Sequence, residues 1–275
     1  MSAPVRVVRL VAAFAVSGAL LPLALATRLA WRLGWHGAGL RGGARVQRWW
    51  ARGVRRALGI RLEVVGTPPP VATLVVSNHL SYLDILVLGS VTPGRFVAKS
   101  EISRWPVFGE LSRSVGTLFI SQRERRDVLR VAEAMERTLA EGVPVILFPE
   151  AAASRGVRVE AFKSSLLEPL VRLQLPSRAV AITYRTPDAP YGAGWTACWW
   201  GDMQLWTHVW RLLAGAPVFA RITWDSESIV APDRKLLSGE LHRRMARLFE
   251  GVEQEPLPGA GYPWPELVSR IQEAP

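Results

Sequence analysis

The chain opens with a run that shows no alternation of polar and apolar positions. From Leu10 to Thr27 it reads LVAAFAVSGALLPLALAT, 18 residues without a charge. As a helix such a run spans about 27 Å at about 1.5 Å per residue, slightly short of a hydrocarbon core of about 30 Å. Pro22 lies inside it and would kink it. The next stretch, Ala44 to Leu58, places Val46, Trp49, Trp50, Val54 and Leu58 at spacings of three and four among arginines. That pattern predicts a basic amphipathic helix. From residue 61, short apolar blocks alternate with helical periods. The blocks predict strands over Arg61–Val65, Thr73–Ser77, Arg95–Ala98, Thr117–Ser121, Val143–Phe148, Ala179–Tyr184, Thr196–Trp200 and Val218–Trp224. The periods predict helices over Ser81–Leu88, Pro106–Ser114, Arg126–Glu141, Lys163–Leu173, Met203–Leu213 and Arg234–Glu250. Several blocks are apolar throughout, as strands covered on both faces are. The pattern implies an α/β fold, with a central, mostly parallel mixed sheet flanked by helices and preceded by an N-terminal membrane-associated helical hairpin. Residues 1–58 form the anchoring helices, 59–252 the layered domain and 253–275 a Pro/Gly-rich tail.

Charge sharpens the picture of the N-terminus. The 275 residues carry a net charge of +11, and of the 34 basic residues only Lys99, Lys163 and Lys235 are lysines. Arginine grips carboxylate and phosphate with a planar fork, so the excess favours an anionic partner: acidic lipid, anionic substrate or nucleic acid. The apolar run has three readings: a signal peptide, a transmembrane anchor, or a segment dipping into one leaflet. Eight arginines between Arg28 and Arg56 follow it, against Arg6 and Arg9 before it. That bias holds the downstream side in the cytoplasm and disfavours export. The amphipathic helix then suits the headgroup level of an anionic membrane, on the cytoplasmic face of the cytoplasmic membrane. With no nucleic-acid-binding module in the sequence, a nucleic-acid partner is not expected. Cys198 is the sole cysteine, and His36, His79, His208 and His242 are scattered. An intramolecular disulfide and a cysteine-based zinc cluster are excluded, and no metal site is suggested. No glycine-rich nucleotide loop follows any predicted strand.

The candidate chemistry begins where the strand ending at Ser77 runs into Asn78-His79-Leu80-Ser81-Tyr82-Leu83-Asp84. Asn78 and Ser81 suit helix capping. A histidine in the turn can fold back over the first helical turn to meet Asp84. Aspartate would then fix the imidazole tautomer, and the free ring nitrogen would take a proton from an attacking hydroxyl. Taken alone, this spacing fits a capping histidine and a solvent-facing aspartate better. Downstream lie Gly116-Thr-Leu-Phe-Ile-Ser121, the QRERR run with Arg123, and Phe148-Pro-Glu150 leading to Ser154. His79, Arg123 and Glu150 all follow strands. Ligands in open α/β sheets sit at the carboxyl ends of strands.

In this order of motifs, over roughly residues 60 to 225, the sequence resembles the lysophospholipid acyltransferase family. The N-H-x4-D motif is met by Asn78, His79 and Asp84, and the lysine-bearing stretch by Phe96 to Glu101 with Lys99. The G-x-x-F-I-x-R motif is met by Gly116, Phe119 and Ile120, with arginine one place late at Arg123. In F-P-E-G-T-x-S, Phe148, Pro149, Glu150 and Ser154 fit, while Ala151 and Ala152 replace glycine and threonine. The proline usual before the fourth apolar run is absent at Arg178-Ala179.

The resemblance implies an acyltransferase core and direct acyl transfer. His79 and Asp84 are then catalytic, and Asn78, Lys99, Gly116, Arg123, Glu150 and Ser154 bind substrate. It implies no metal and no cofactor beyond the acyl-CoA or acyl carrier protein thioester as co-substrate. The partners are membrane lipid and a lysolipid acceptor, with 1-acyl-glycerol-3-phosphate giving phosphatidic acid. The altered third motif leaves open a lyso amino-acid lipid of the ornithine type, or a catalytically silent lipid-binding protein. Trp195, Trp199, Trp200, Trp206 and Trp210 form an aromatic stretch suited to core packing, to membrane contact or to an acyl-chain groove.

Overall fold

The computed structural model describes residues 3–69, 73–105, 108–121, 125–189 and 191–254. In chain order the elements are α1 (Ala3–Arg32), α2 (His36–Ala57), β1 (Ile60–Val65), β2 (Leu74–Ser77), α3 (Leu83–Val91), β3 (Arg95–Lys99), α4 (Phe108–Ser114), β4 (Leu118–Ile120), α5 (Arg125–Ala140), β5 (Val145–Leu147), α6 (Glu168–Arg172), β6 (Ser177–Arg185), α7 (Ala193–Thr196), α8 (Leu205–Ala214), β7 (Val218–Trp224) and α9 (Arg234–Leu248). Single 3₁₀ turns precede α4 and α6, at Ser100–Arg104 and Ser164–Leu167.

The described strands form one mixed sheet in the order β1-β7-β6-β2-β5-β3-β4. Every neighbouring pair is parallel except β6 and β7. Thus β2, β3, β4, β5 and β6 all point one way, and their carboxyl ends share one edge. Alternate residues feed two cores. Val75, Ile146, Val180 and Ile182 pack with Leu83, Leu86 and Val87 of α3 on one face. Leu74, Val76, Val145, Leu147, Ala179 and Ala181 pack with α5 and α9 on the other. The unbroken apolar blocks of the central strands thus reflect burial on both sides.

α1 and α2 form an antiparallel hairpin whose close approach depends on glycine. A Cβ on Gly53 would lie 2.6 Å from a methyl of Val16, and one on Gly39 would lie 2.7 Å from Cβ of Trp31. Ser17 accepts a hydrogen bond from the Trp50 indole N–H at 3.0 Å, fixing the register. α1 runs through Pro22 as one helix of 30 residues, and α2 starts eight residues before the predicted Ala44. α1 is long and apolar enough to cross a membrane by length and composition.

One predicted strand is absent. Thr196–Trp200 forms the end of α7 and an irregular bend. There the Trp199 N–H bonds the Leu80 carbonyl at 2.9 Å, and the Trp199 and Trp200 indoles bond the carbonyls of Met203 and Gly194. Tertiary packing against the turn after β2 overrides strand propensity, because a short apolar block is equally suited to buried coil. The predicted helix over Lys163–Leu173 is split into the 3₁₀ turn and α6. Glu253 and Gln254 dock on residues 194 and 195, while 255–275 of the expected tail lie outside the described residues.

Candidate active site

β2 is buried along its whole length and ends at Ser77. Asn78 then continues the ladder with its side chain: its amide Nδ2 donates to the Ile182 carbonyl at 3.0 Å, and its Oδ1 accepts the Ile182 N–H at 2.8 Å. The helix cap expected of Asn78 is absent, because both ends of this buried amide are engaged by β6. It positions the turn. Ser81 caps nothing either. α3 begins at Leu83 after Tyr82, and no side chain caps it.

Asp84 organises the turn instead. Its Oδ2 lies 2.7 Å from His79 Nδ1 and accepts the backbone N–H groups of Leu80 at 2.7 Å and Ser81 at 3.0 Å. Its Oδ1 accepts the Tyr184 hydroxyl at 2.7 Å. The side chain is 0% exposed, yet four donors surround it, so its burial is compensated. Bonding of Nδ1–H to the carboxylate leaves His79 Nε2 as the basic nitrogen. The His79 side chain is 23% exposed, and its ring stacks on Phe148 with centroids 4.4 Å apart and planes 22° from parallel. Phe148 in turn stacks on Phe96. The imidazole is thus held by a carboxylate at one edge and an aromatic face on one side, with part of the ring open.

The loop after β5 doubles back on this turn. The Ser154 N–H donates to the His79 carbonyl at 2.9 Å, and the Ser154 hydroxyl accepts from the Gly156 N–H at 3.3 Å. Glu150 is 7% exposed, and neither carboxyl oxygen has a hydrogen-bond partner among the described residues. Burial pushes its pKa up to about 8. Backbone N–H groups of His79 and Glu160 lie near enough to offset part of that cost, and the charge of Asp84 adds to it. Near neutral pH Glu150 therefore carries its proton, and it can donate as well as accept. Ala151 stands at φ 64°, in the left-handed region, where the family's third motif has glycine.

The remaining expected residues divide. Lys99 closes β3, exposed, at the shared carboxyl edge. Arg123 lies outside the described residues, and of the neighbouring Arg125 and Arg126 only the backbone, at the start of α5, is described. Gly116 stands at the opposite edge of the sheet from His79. It precedes β4, at the amino end of a parallel strand and level with Arg95, whose guanidinium bonds its carbonyl. Its φ of 81° shows why glycine stands there. Two partners of the turn were not read from the sequence. Tyr184 was seen only as the end of an apolar strand, and nothing in its spacing links it to a residue 100 positions away. Tyr82 bonds His208 across 126 positions at 3.0 Å. Among the described residues no group of three or more His, Cys, Asp or Glu side chains is placed to hold a metal ion.

Known proteins share this arrangement of sequence and fold. The Acyltransferase family model matches residues 62–183. The 1-acyl-sn-glycerol-3-phosphate acyltransferase of Neisseria meningitidis is 36% identical over 179 residues, covering 62% of this chain and 67% of the relative. The lyso-ornithine lipid O-acyltransferase of Pseudomonas aeruginosa is 33% identical over 171 residues, covering 62% and 65%. The match thus spans about two thirds of these relatives' length. The crystal structure of the 1-acyl-sn-glycerophosphate (LPA) acyltransferase from Thermotoga maritima shares the fold, with a TM-score of 0.58 at 18% identity over 83% of this chain and 92% of that one. The chain therefore belongs to the acyltransferase family, among the lysophospholipid acyltransferases.

Proposed function

We propose that this acyltransferase moves a fatty acyl group from acyl-CoA or acyl carrier protein to the hydroxyl of a lysophospholipid, 1-acyl-glycerol-3-phosphate, giving phosphatidic acid. The observation that carries the reading is the 2.7 Å contact between His79 Nδ1 and a saturated, buried Asp84, with the ring partly open at the carboxyl edge of the sheet. His79 Nε2 takes the proton of the acceptor hydroxyl as its oxygen attacks the thioester carbonyl. The tetrahedral intermediate collapses, the C–S bond breaks, and the sulfur leaves with the proton carried by the imidazolium. An ester and a free thiol result, with no metal, cofactor or covalent enzyme intermediate required. Asp84 keeps Nδ1–H oriented and stabilises the imidazolium. Lys99 and Arg123 supply charge for the phosphate.

A second acceptor is favoured by one feature. Glu150 is a carboxyl with no hydrogen-bond partner among the described residues, beside Ala151 and Ala152, which have lost the threonine hydroxyl of the family motif. An ammonium-bearing lyso lipid of the ornithine type would give that carboxyl a partner and hold it ionised. Purified protein offered both lysolipids with both thioesters, with products read by mass, decides between them. Absence of product with every pairing, from folded protein, overturns both acceptors and leaves a silent lipid-binding protein.

The place of action is the cytoplasmic membrane surface. Arg9 near one end of α1 donates to carbonyls at the end of α8, and Arg28 near the other end pairs with Glu110 of α4 at 2.9 Å. With both ends held on one body, α1 lies along the domain. Its exposed Val7, Val11, Phe14, Leu21, Leu25 and Leu29 then enter a single leaflet.

A further inference from the structure

The five clustered tryptophans have different fates. Trp195 is buried and Trp199 and Trp200 are half-buried, whereas Trp206 is 70% exposed and Trp210 48% exposed. Trp206 and Trp210 stand four residues apart on one side of α8. The other side of the same helix buries His208, Leu212 and Leu213. α8 is joined to α1 at this surface: the Arg6 guanidinium lies 5.0 Å over the Trp210 ring, and Arg9 donates to the carbonyls of Leu213 and Gly215 at 3.2 and 3.3 Å. The exposed Val7, Val8, Val11 and Phe14 of α1 follow immediately. Neither α1, α2 nor α8 contains an acidic residue.

We propose that α8 is a second bilayer-contacting element, with Trp206 and Trp210 seated at the headgroup level of a membrane that carries anionic lipid. This rests on the membrane-surface reading of α1 and extends it. Large exposed aromatic rings with one polar atom suit that depth, and the surrounding arginines complement anionic headgroups. The arrangement also ties the surface to the chemistry. On the inner side of α8, His208 Nδ1 and the Tyr82 hydroxyl are 3.0 Å apart, and Tyr82 belongs to the turn that carries His79 and Asp84. One helix, about 10 Å thick, thus has the leaflet on one side and the catalytic turn on the other. A lysolipid entering beside α8 reaches His79 without leaving the membrane.

The test uses the full chain with an environment-sensitive nitrobenzoxadiazole label on single cysteines introduced as Trp206→Cys, Phe14→Cys and Arg243→Cys. Cys198 is fully buried and stays unlabelled. Arg243 is exposed on α9 and serves as the control. On vesicles of phosphatidylethanolamine and phosphatidylglycerol, the labels at 206 and 14 should brighten severalfold and shift to the blue, while that at 243 stays unchanged. A silent label at 206 with a responding label at 14 overturns the α8 proposal alone. Silence at both positions overturns the membrane reading of α1 and this proposal with it. A response at 206 to protein concentration without vesicles assigns the face to a second copy of the chain and also overturns it. The double variant Trp206→Ser/Trp210→Ser should bind the same vesicles about tenfold more weakly with an unchanged melting temperature. Unchanged vesicle affinity contradicts the proposal.

Discussion

Asp84 and Glu150 are both buried carboxyl groups at the same edge of the sheet, and their surroundings are opposite. Asp84 receives four donors, from His79, Leu80, Ser81 and Tyr184. Glu150 receives no complete hydrogen bond among the described residues, and burial raises its pKa to about 8. An uncompensated buried carboxyl keeps its proton, whereas donors on every side hold a carboxylate in place. The part of the site that must orient a base is thus complete within the protein. On the proposed reading Glu150 faces the acceptor, and a bound head group would supply the partner it lacks among the described residues.

The largest effect should come from breaking the saturated member. His79→Ala and Asp84→Asn should each lower kcat by about 10²–10⁴-fold, the range for a lost general base. Circular dichroism should show folding retained for His79→Ala. Wild-type turnover in folded His79→Ala removes the basis of the mechanism.

Glu150→Gln tests the other member through stability. The folded chain holds the Glu150 proton up to about pH 8, while the unfolded chain loses it near the ordinary value of 4.5. The unfolded state therefore binds fewer protons across that window, and stability falls as pH rises from about 4.5 to 8. Glutamine should remove this contribution and raise the melting temperature by several degrees at pH 8 relative to wild type, with little difference at pH 4.5. Equal differences at both pH values would show that Glu150 is ionised when folded.

Tyr184→Phe removes one of the four donors to Asp84 and leaves the rest. A hydrogen bond to a charged group contributes roughly 1.5–3 kcal/mol, so kcat should drop about tenfold. Loss of stability with an unaltered kcat would make Tyr184 a packing residue only.

The smallest effect belongs to Ala151→Gly. Alanine at φ 64° bears strain that glycine does not, partly offset by the greater freedom of glycine in the unfolded chain. The net gain should be about 0.5 kcal/mol, read as a small rise in the denaturant midpoint. A loss of stability would mean that the methyl group's packing outweighs the strain.

Much of this contrast was visible in the sequence. Apolar blocks alternating with helical periods predicted the layered sheet, because burial on both faces forces continuous apolar strands at the centre. The contact of His79 with Asp84 was legible from the order of motifs along the chain, and their spacing alone did not establish it. A motif orders residues along the chain without saying which end of a strand they occupy; parallel pairing with β3 puts Gly116 at the amino edge. Thr196–Trp200 was misread because five apolar residues look alike as strand or as buried bend.

Local order along the chain thus determined most of the strands and helices and set His79 and Asp84 on one turn, all of which arise from residues within a few positions of one another. Only tertiary structure decided that Tyr184 and the Asn78 ladder hold that pair, that Glu150 has no hydrogen-bond partner among the described residues, and which tryptophans meet solvent. Those outcomes depend on contacts between residues some 100 positions apart and on burial, and neither is encoded in the spacing of neighbours.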